Sequence, residues 1–243
     1  MADRMHSTVM YTVWAGEVEY RQALAWQDYL VTARQADQID DVLLVLTHPP
    51  VYTAGRNADL AINLTGSRPD IPVIRIDRGG DVTYHGPGQV VAYPIMRLAR
   101  RGAAKAYVAA LEQALIDTAG SFGVVADRRP GYPGVWVAGR DKLAAIGVRI
   151  TNGVTKHGVA FNVDPPLEDY GGIIACGVPD AGVTSLTQQG VTASVEDVRT
   201  RLTAALVQTL DRMPQPSQPT DLGLTRAPPV PAASDMACIQ WPR

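Results

Sequence analysis

The sequence predicts an α+β fold: a mixed or antiparallel β-sheet core flanked by helices. Three observations predict it. Runs of strand composition crowd the middle of the chain, amphipathic helical stretches lie around them, and the two types do not follow a strict βαβ alternation. Residues 17–37 place Tyr20, Leu24, Leu30 and Val31 near one helical face, with Arg21, Gln22 and Asp28 elsewhere. Residues 42–47 (VLLVLT) are stopped by His48-Pro49-Pro50 and read as a buried strand. Residues 73–77 and 88–96 read as two more strands joined through a glycine-rich turn. Residues 103–122 form a second helical stretch carrying Tyr107, Val108, Leu111, Leu115 and Phe122. Strands follow at 134–138, 143–150 and 154–163, and the Asn152-Gly153 pair between the last two is a hairpin signal because both residues tolerate positive φ. Ser194 with Asp197 resembles a capping box and opens a third helix over 195–213.

The 243 residues suffice for one large domain, assigned to residues 1–213. Residues 214–243 hold seven prolines among Ser, Gln and Ala, and form either an extended tail or a strap over the surface. A net charge of -2 argues against a nucleic-acid partner, which would reward a basic excess. No apolar run approaches the ~20 residues that span a bilayer, and no apolar leader is seen at the N-terminus, so no membrane partner and a cytoplasmic location are expected. Two cysteines, Cys176 and Cys238, cannot build a secreted disulfide framework, and no Cys/His spacing reads as a zinc site. Among 22 basic residues only Lys105, Lys142 and Lys156 are lysine, and lysine alone of the two types can give up its proton at usable pH.

Chemistry-bearing residues concentrate in three runs. The first is Arg78-Gly79-Gly80-Asp81-Val82-Thr83-Tyr84-His85-Gly86-Pro87-Gly88-Gln89, whose glycines allow a ligand close to the backbone. Its spacing fits neither a dinucleotide loop nor a P-loop, and on residue types alone a glycine-rich hairpin with a core histidine is the better account. The second, Lys142-Leu143-Ala144-Ala145-Ile146-Gly147, opens a strand of small apolar residues with a lysine. That lysine is suited to proton transfer if it faces a pocket, and is a solvated strand end if it does not. The third, Gly171-Gly172-Ile173-Ile174-Ala175-Cys176-Gly177, offers a thiol that is either an inert core group or, beside an ammonium, a nucleophile. His157 lies in a strand, and a Cys176–His157 pair would describe a cysteine hydrolase, but no hydrolase signature surrounds either residue.

Seven stretches in order carry a family resemblance: 48–56 (HPPVYTAGR), 78–89 (RGGDVTYHGPGQ), 134–137 (GVWV), 142–149 (KLAAIGVR), 157–163 (HGVAFNV), 175–177 (ACG) and 182–186 (GVTSL). Together they resemble the lipoyl(octanoyl)transferases. The resemblance implies the biotin/lipoate protein ligase-like fold. It further implies transfer of an octanoyl group from octanoyl-acyl carrier protein to a lysine of lipoyl domains, those of 2-oxoacid dehydrogenase E2 subunits and the glycine cleavage H protein. It implies Cys176 as nucleophile and Lys142 as its partner; His157, from the residue reading above, is a candidate support. The acyl substrate would be lined by Arg78, Gly79, Gly80, Asp81, Val82, Thr83, Tyr84 and His85, by Ala145, Ile146 and Gly147, and by Gly158, Val159 and Ala160. No ATP, metal or other cofactor is then expected, because the phosphopantetheine thioester already activates the acyl group. An ATP-dependent lipoate or biotin ligase on the same fold is the competing expectation. Acidic protein partners would meet basic patches at Arg97, Arg100, Arg101, Arg128 and Arg129. At ~0.8 kcal/mol per methylene, an acyl pocket discriminates only weakly between neighbouring chain lengths.

Overall fold

The computed structural model describes residues 8–66, 68–98, 102–174 and 181–225. The chain runs β1 (Val9–Glu17), α1 (Tyr20–Gln35), β2 (Asp41–Thr47), β3 (Val51–Ala54), α2 (Leu60–Asn63), β4 (Val73–Arg75), β5 (Val82–His85) and β6 (Gln89–Ile95). It continues through α3 (Ala104–Ser121), β7 (Asp127–Arg129), β8 (Tyr132–Val137), β9 (Asp141–Thr151), β10 (Val154–Asn162), β11 (Gly182–Val183), α4 (Val195–Thr209) and β12 (Met213–Ser217). Among the described residues, nine strands form one sheet in the order β12-β1-β2-β6-β10-β9-β8-β7, with β11 beside β9; β4-β3-β5 form a second, smaller sheet. The large sheet is mixed: β1 runs parallel to both β2 and β12, whereas β2 to β8 pair antiparallel in the sheet order. The expected α+β class with a mixed sheet core flanked by helices is what the chain adopts.

Alternation sorts the side chains of the large sheet between two cores. Leu43, Val45, Val90 and Phe161 face α3 and α4, packing against Leu111, Leu115, Leu202 and Leu206. Val42, Leu44, Leu46 and Tyr93 point the opposite way, against Trp26 and Leu30 of α1. Covered on both faces, β2 needs apolar side chains at nearly every position, which is why it reads as the unbroken run VLLVLT. The Asn152-Gly153 turn has φ of 50° and 81°, the left-handed pair that joins twisted strands, as the sequence predicts. Ser194 and Asp197 make both bonds of the capping box at α4. No helix among the described residues is long and apolar enough to cross a membrane.

Residues 214–217 continue the large sheet past residue 213. Met213–Ser217 forms β12, the outermost strand of the large sheet. The reading of this stretch as an extended tail or strap weighs its prolines by number, whereas their spacing decides which ladder donors are lost. The Met213 N–H donates to Thr8 O at 2.8 Å, and alternation turns the N–H groups of Gln215 and Ser217 toward β1 as well. Pro214 and Pro216 occupy the alternate positions, so their missing donors fall on the open edge, where they also deter a further strand. The strap then closes with Leu224, buried at 2% exposure, and with Trp26 Nε1 donating to Thr225 O at 3.1 Å. Residues 226–243, including Cys238, lie outside the described residues. A proline at 215 would remove a donor that faces β1: Gln215→Pro should lower unfolding free energy by about 2 kcal/mol in urea titration, and Pro216→Ala by less than about 0.5. Equal effects from the two would contradict this register.

Candidate active site

Antiparallel pairing sets Gly147 opposite Gly158 and Ala145 opposite Ala160, and directly paired residues share one face of a sheet. At these two rungs that face therefore carries almost no side-chain volume. The small sheet and its leading loop stand over it, and the space left between them is a cavity of about 470 Å³. Arg78, Gly79, Gly80, Asp81, Thr83 and His85 form the overhanging wall; Ala145, Ile146, Gly147, Gly158, Val159 and Ala160 form the floor. Tyr20 and Tyr93 also line the space, and Lys142, Tyr132 and Pro133 lie at its β8–β9 side, with Val108 contributed by α3. Val82 and Tyr84, assigned to the same lining from the sequence, do not join it. Alternation along β5 points them the other way, into a cluster with Tyr52 and Ile173, and the Tyr84 hydroxyl donates to Asp169 Oδ2 at 2.8 Å.

Lys142 is 7% exposed, so it is no solvated strand end. Its Nζ lies 4.4 Å from the Trp136 ring centroid and donates to Pro133 O at 3.4 Å. Its place depends on Gly134, which has φ of 131°; a Cβ there would lie 2.6 Å from Ala144 O and 3.4 Å from Lys142 Cε. The chain that returns after residue 180 pairs with this same segment. Gly182 and Val183 run parallel to Asp141 and Lys142, and Thr184 N–H donates to Lys142 O at 3.0 Å. On the other side, Ile174 N–H donates to Asn63 O, and Asn63 Nδ2 donates to Asp81 Oδ1 at 2.6 Å. Both described ends of the segment that contains Cys176 are thus fastened beside the cavity. Cys176 itself lies outside the described residues.

A buried polar relay backs the wall. Gln89 Nε2 donates to Asn162 Oδ1, to the Tyr170 hydroxyl and, at 3.3 Å, to Tyr84 O. That leaves Oε1 as the acceptor, so His85 Nδ1 carries the proton in their 3.2 Å bond and Nε2 keeps its lone pair. Asn162 Nδ2 donates onward to Thr184 O at 2.9 Å, joining the relay to the strand beside Lys142. His48 donates from Nδ1 to Val18 O at 2.7 Å and accepts from the Tyr93 hydroxyl at Nε2. Burial pushes the pKa of His48 down to about 4, and that of His85 well below the usual histidine value, where a second charge beside His48 and the Arg78 guanidinium would be disfavoured as well. Burial also lowers His157, although its bond to Asp77 opposes the shift. All three rings are neutral at pH 7.

The residues matched by the family model for the lipoyl protein ligase A/B catalytic domain are 19–207. The chain belongs to this family. It is 48% identical to an octanoyltransferase of Corynebacterium efficiens over 183 residues, 72% of this chain and 70% of that one. It is 45% identical to an octanoyltransferase of Acidothermus cellulolyticus over 212 residues, 85% of this chain and 92% of that one. Among solved structures, a lipoate-protein ligase A bound with ATP superposes with a TM-score of 0.71, covering 88% of this chain and 89% of that chain at 16% identity. That likeness establishes the lipoate ligase fold. The relatives named octanoyltransferase make this member of the family an acyltransferase.

In this lipoyl ligase-family chain, several cavity residues escaped sequence reasoning. Tyr20 and Tyr93 look like ordinary helix and strand core residues, and Tyr132 opens β8 without any motif around it; their spacing carries no signal. Gln89 and Asn162 stand inside matching stretches, but only tertiary contact reveals their amides as the link between His85 and Thr184. The expected basic patch is also reduced. Arg97 Nη2 donates to Arg34 O and Gln35 O, Arg128 pairs with Glu112 at 3.1 Å, and Arg129 stacks near the Tyr132 and Trp136 rings. Arg100 and Arg101 lie outside the described residues.

Proposed function

We propose that this chain transfers an octanoyl group from octanoyl-acyl carrier protein, through a thioester on Cys176, to a lysine of lipoyl domains. The observation that carries this reading is the position of Lys142. A buried, titratable ammonium borders a cavity floored by Gly and Ala, and the strand following the Cys176 segment pairs directly with it. Two named octanoyltransferases at 45% and 48% identity supply the acyl group's identity.

The chemistry follows without ATP. The Cys176 thiolate attacks the carrier thioester carbonyl, a new C–S bond forms, and the phosphopantetheine thiolate departs and takes up a proton. The acceptor lysine amine then attacks the acyl-enzyme; a C–N bond forms, the Cys176 C–S bond breaks, and the amine's proton passes to the site. Lys142 as ammonium stabilises the thiolate and as free amine accepts that proton. The test is intact-protein mass spectrometry after incubation with octanoyl-acyl carrier protein. The expected result is one octanoyl addition, removed by hydroxylamine and absent in Cys176→Ala. Transfer that requires ATP and survives Cys176→Ala would instead identify a ligase that activates a free acid.

A further inference from the structure

Asp77, which precedes the cavity wall, gathers three basic side chains from the two floor strands. His157 Nε2 donates to its Oδ1 at 2.7 Å, Lys156 Nζ lies 3.4 Å from the same oxygen, and Arg149 Nε lies 3.0 Å from Oδ2. Lys156 also pairs with Asp28 of α1 at 2.5 Å. Lys156 and His157 are 7% and 1% exposed, so this is not a solvated surface pair, whose contribution would be small. The carboxylate is held well below the usual range, chiefly by the His157 bond and then by the surrounding positive charge.

The cluster bears on the cavity through Asp77's chain neighbour. Arg78 is 7% exposed, donates to Thr53 O at 2.6 Å and lies so close to β9 that a Cβ on Gly147 would sit 2.8 Å from its Cδ. Gly79 N–H donates to Val148 O at 3.0 Å. The wall therefore meets β9 by main chain at Gly79 and is fastened to β9 and β10 by side chain at Asp77. His157 takes φ of 60°, uncommon for a residue with a Cβ, and its N–H is held by Gln27 Oε1 at 2.8 Å. That conformation sets the imidazole against Asp77, with Nδ1 left without a partner among the described residues.

We propose that Asp77 is a positioning residue for the acyl donor: it fixes the Arg78–Asp81 wall over the β9–β10 floor through His157, Lys156 and Arg149. The inference rests on the acyl-transfer reading of the cavity. Its test measures affinity without turnover, using the octyl thioether of pantetheine, which carries chain and arm but no transferable acyl group. By calorimetry, Asp77→Asn should bind about tenfold more weakly than wild type, with Asp77→Glu recovering most of the loss. In the transfer assay, KM for octanoyl-acyl carrier protein should rise while kcat falls less than about threefold. Arg149→Gln, which removes another member of the cluster, should shift Kd in the same direction and serves if Asp77→Asn does not fold. Equal affinity in all variants, or a loss confined to kcat, overturns the inference. A wild type that binds the thioether but transfers nothing overturns the transfer reading alone; one that does not bind it overturns both.

Discussion

Lys142→Arg should slow octanoyl transfer about 1,000-fold, although the positive charge is retained. In the proposed transfer, lysine serves both half-reactions because its ammonium stabilises a thiolate and its free amine accepts a proton. Arginine performs only the first, since it does not deprotonate at usable pH. Geometry points the same way. Lys142 is packed against the Trp136 ring, and its stem passes the Cβ-free face of Gly134, so a planar, larger head group has little room. The two half-reactions separate the causes. Single-turnover measurement should show acyl-enzyme still forming in Lys142→Arg at a reduced rate, while release of the acyl group to the acceptor lysine is nearly abolished. Lys142→Ala should impair both. An arginine variant with more than about a tenth of wild-type turnover would show that charge alone suffices.

Acid should destabilise the fold well above the pH at which carboxylates titrate. His48 has a folded pKa of about 4 against 6.5 for an ordinary histidine. Between those values the unfolded chain binds a proton that the folded chain refuses, so stability is fully present above pH 6.5 and is lost as pH falls toward 4. At pH 5 His48 alone accounts for about 2 kcal/mol relative to pH 7. His85 and His157, lowered by the same burial, act in the same direction. Asp77, Asp37 and Asp70 are lowered carboxylates, and their contribution is lost only below the ordinary Asp value, so it does not offset the histidines at pH 5. Urea titration at pH 7 and pH 5 should show this loss, and His48→Asn should shrink the difference between the two by about 2 kcal/mol. A wild type equally stable at both values would exclude the buried neutral rings as its cause.

The elements legible in the sequence were those whose burial writes a period or a continuous apolar run. β2, β6, β9, β10, α1, α3 and α4 fall within a few residues of their expected bounds. β1 was missed because it alternates only partly, with two buried positions among nine. β3, β5 and β7 were missed because strands of three or four residues carry no measurable period; β4, equally short, was found at 73–77 from its apolar composition alone. β12 was misjudged because proline was weighed by composition, whereas what matters in an edge strand is which way each absent N–H would have pointed.

The candidate site divides along similar lines. Residue type and order marked the lysine able to titrate and the glycine-rich run as candidates beside plain structural readings, because chemistry that needs a proton carrier or close backbone approach restricts the residue types that serve; the small residues of two strands entered only through the family resemblance. The cross-strand pairing that sets Gly147 against Gly158 was not legible, nor was the alternation that turns Val82 and Tyr84 away. The amide relay through Gln89 and Asn162 and the carboxylate of Asp77 also emerged only in the fold. These depend on partners tens of residues apart, 73 between Gln89 and Asn162 and 80 between Asp77 and His157. Local sequence constrains which backbone a residue can adopt and which chemistry it can offer. Which groups lose water together, and so which histidines stay neutral and which carboxylate acts as a clasp, is decided by tertiary packing, because desolvation belongs to the assembled interior and to no single stretch of chain.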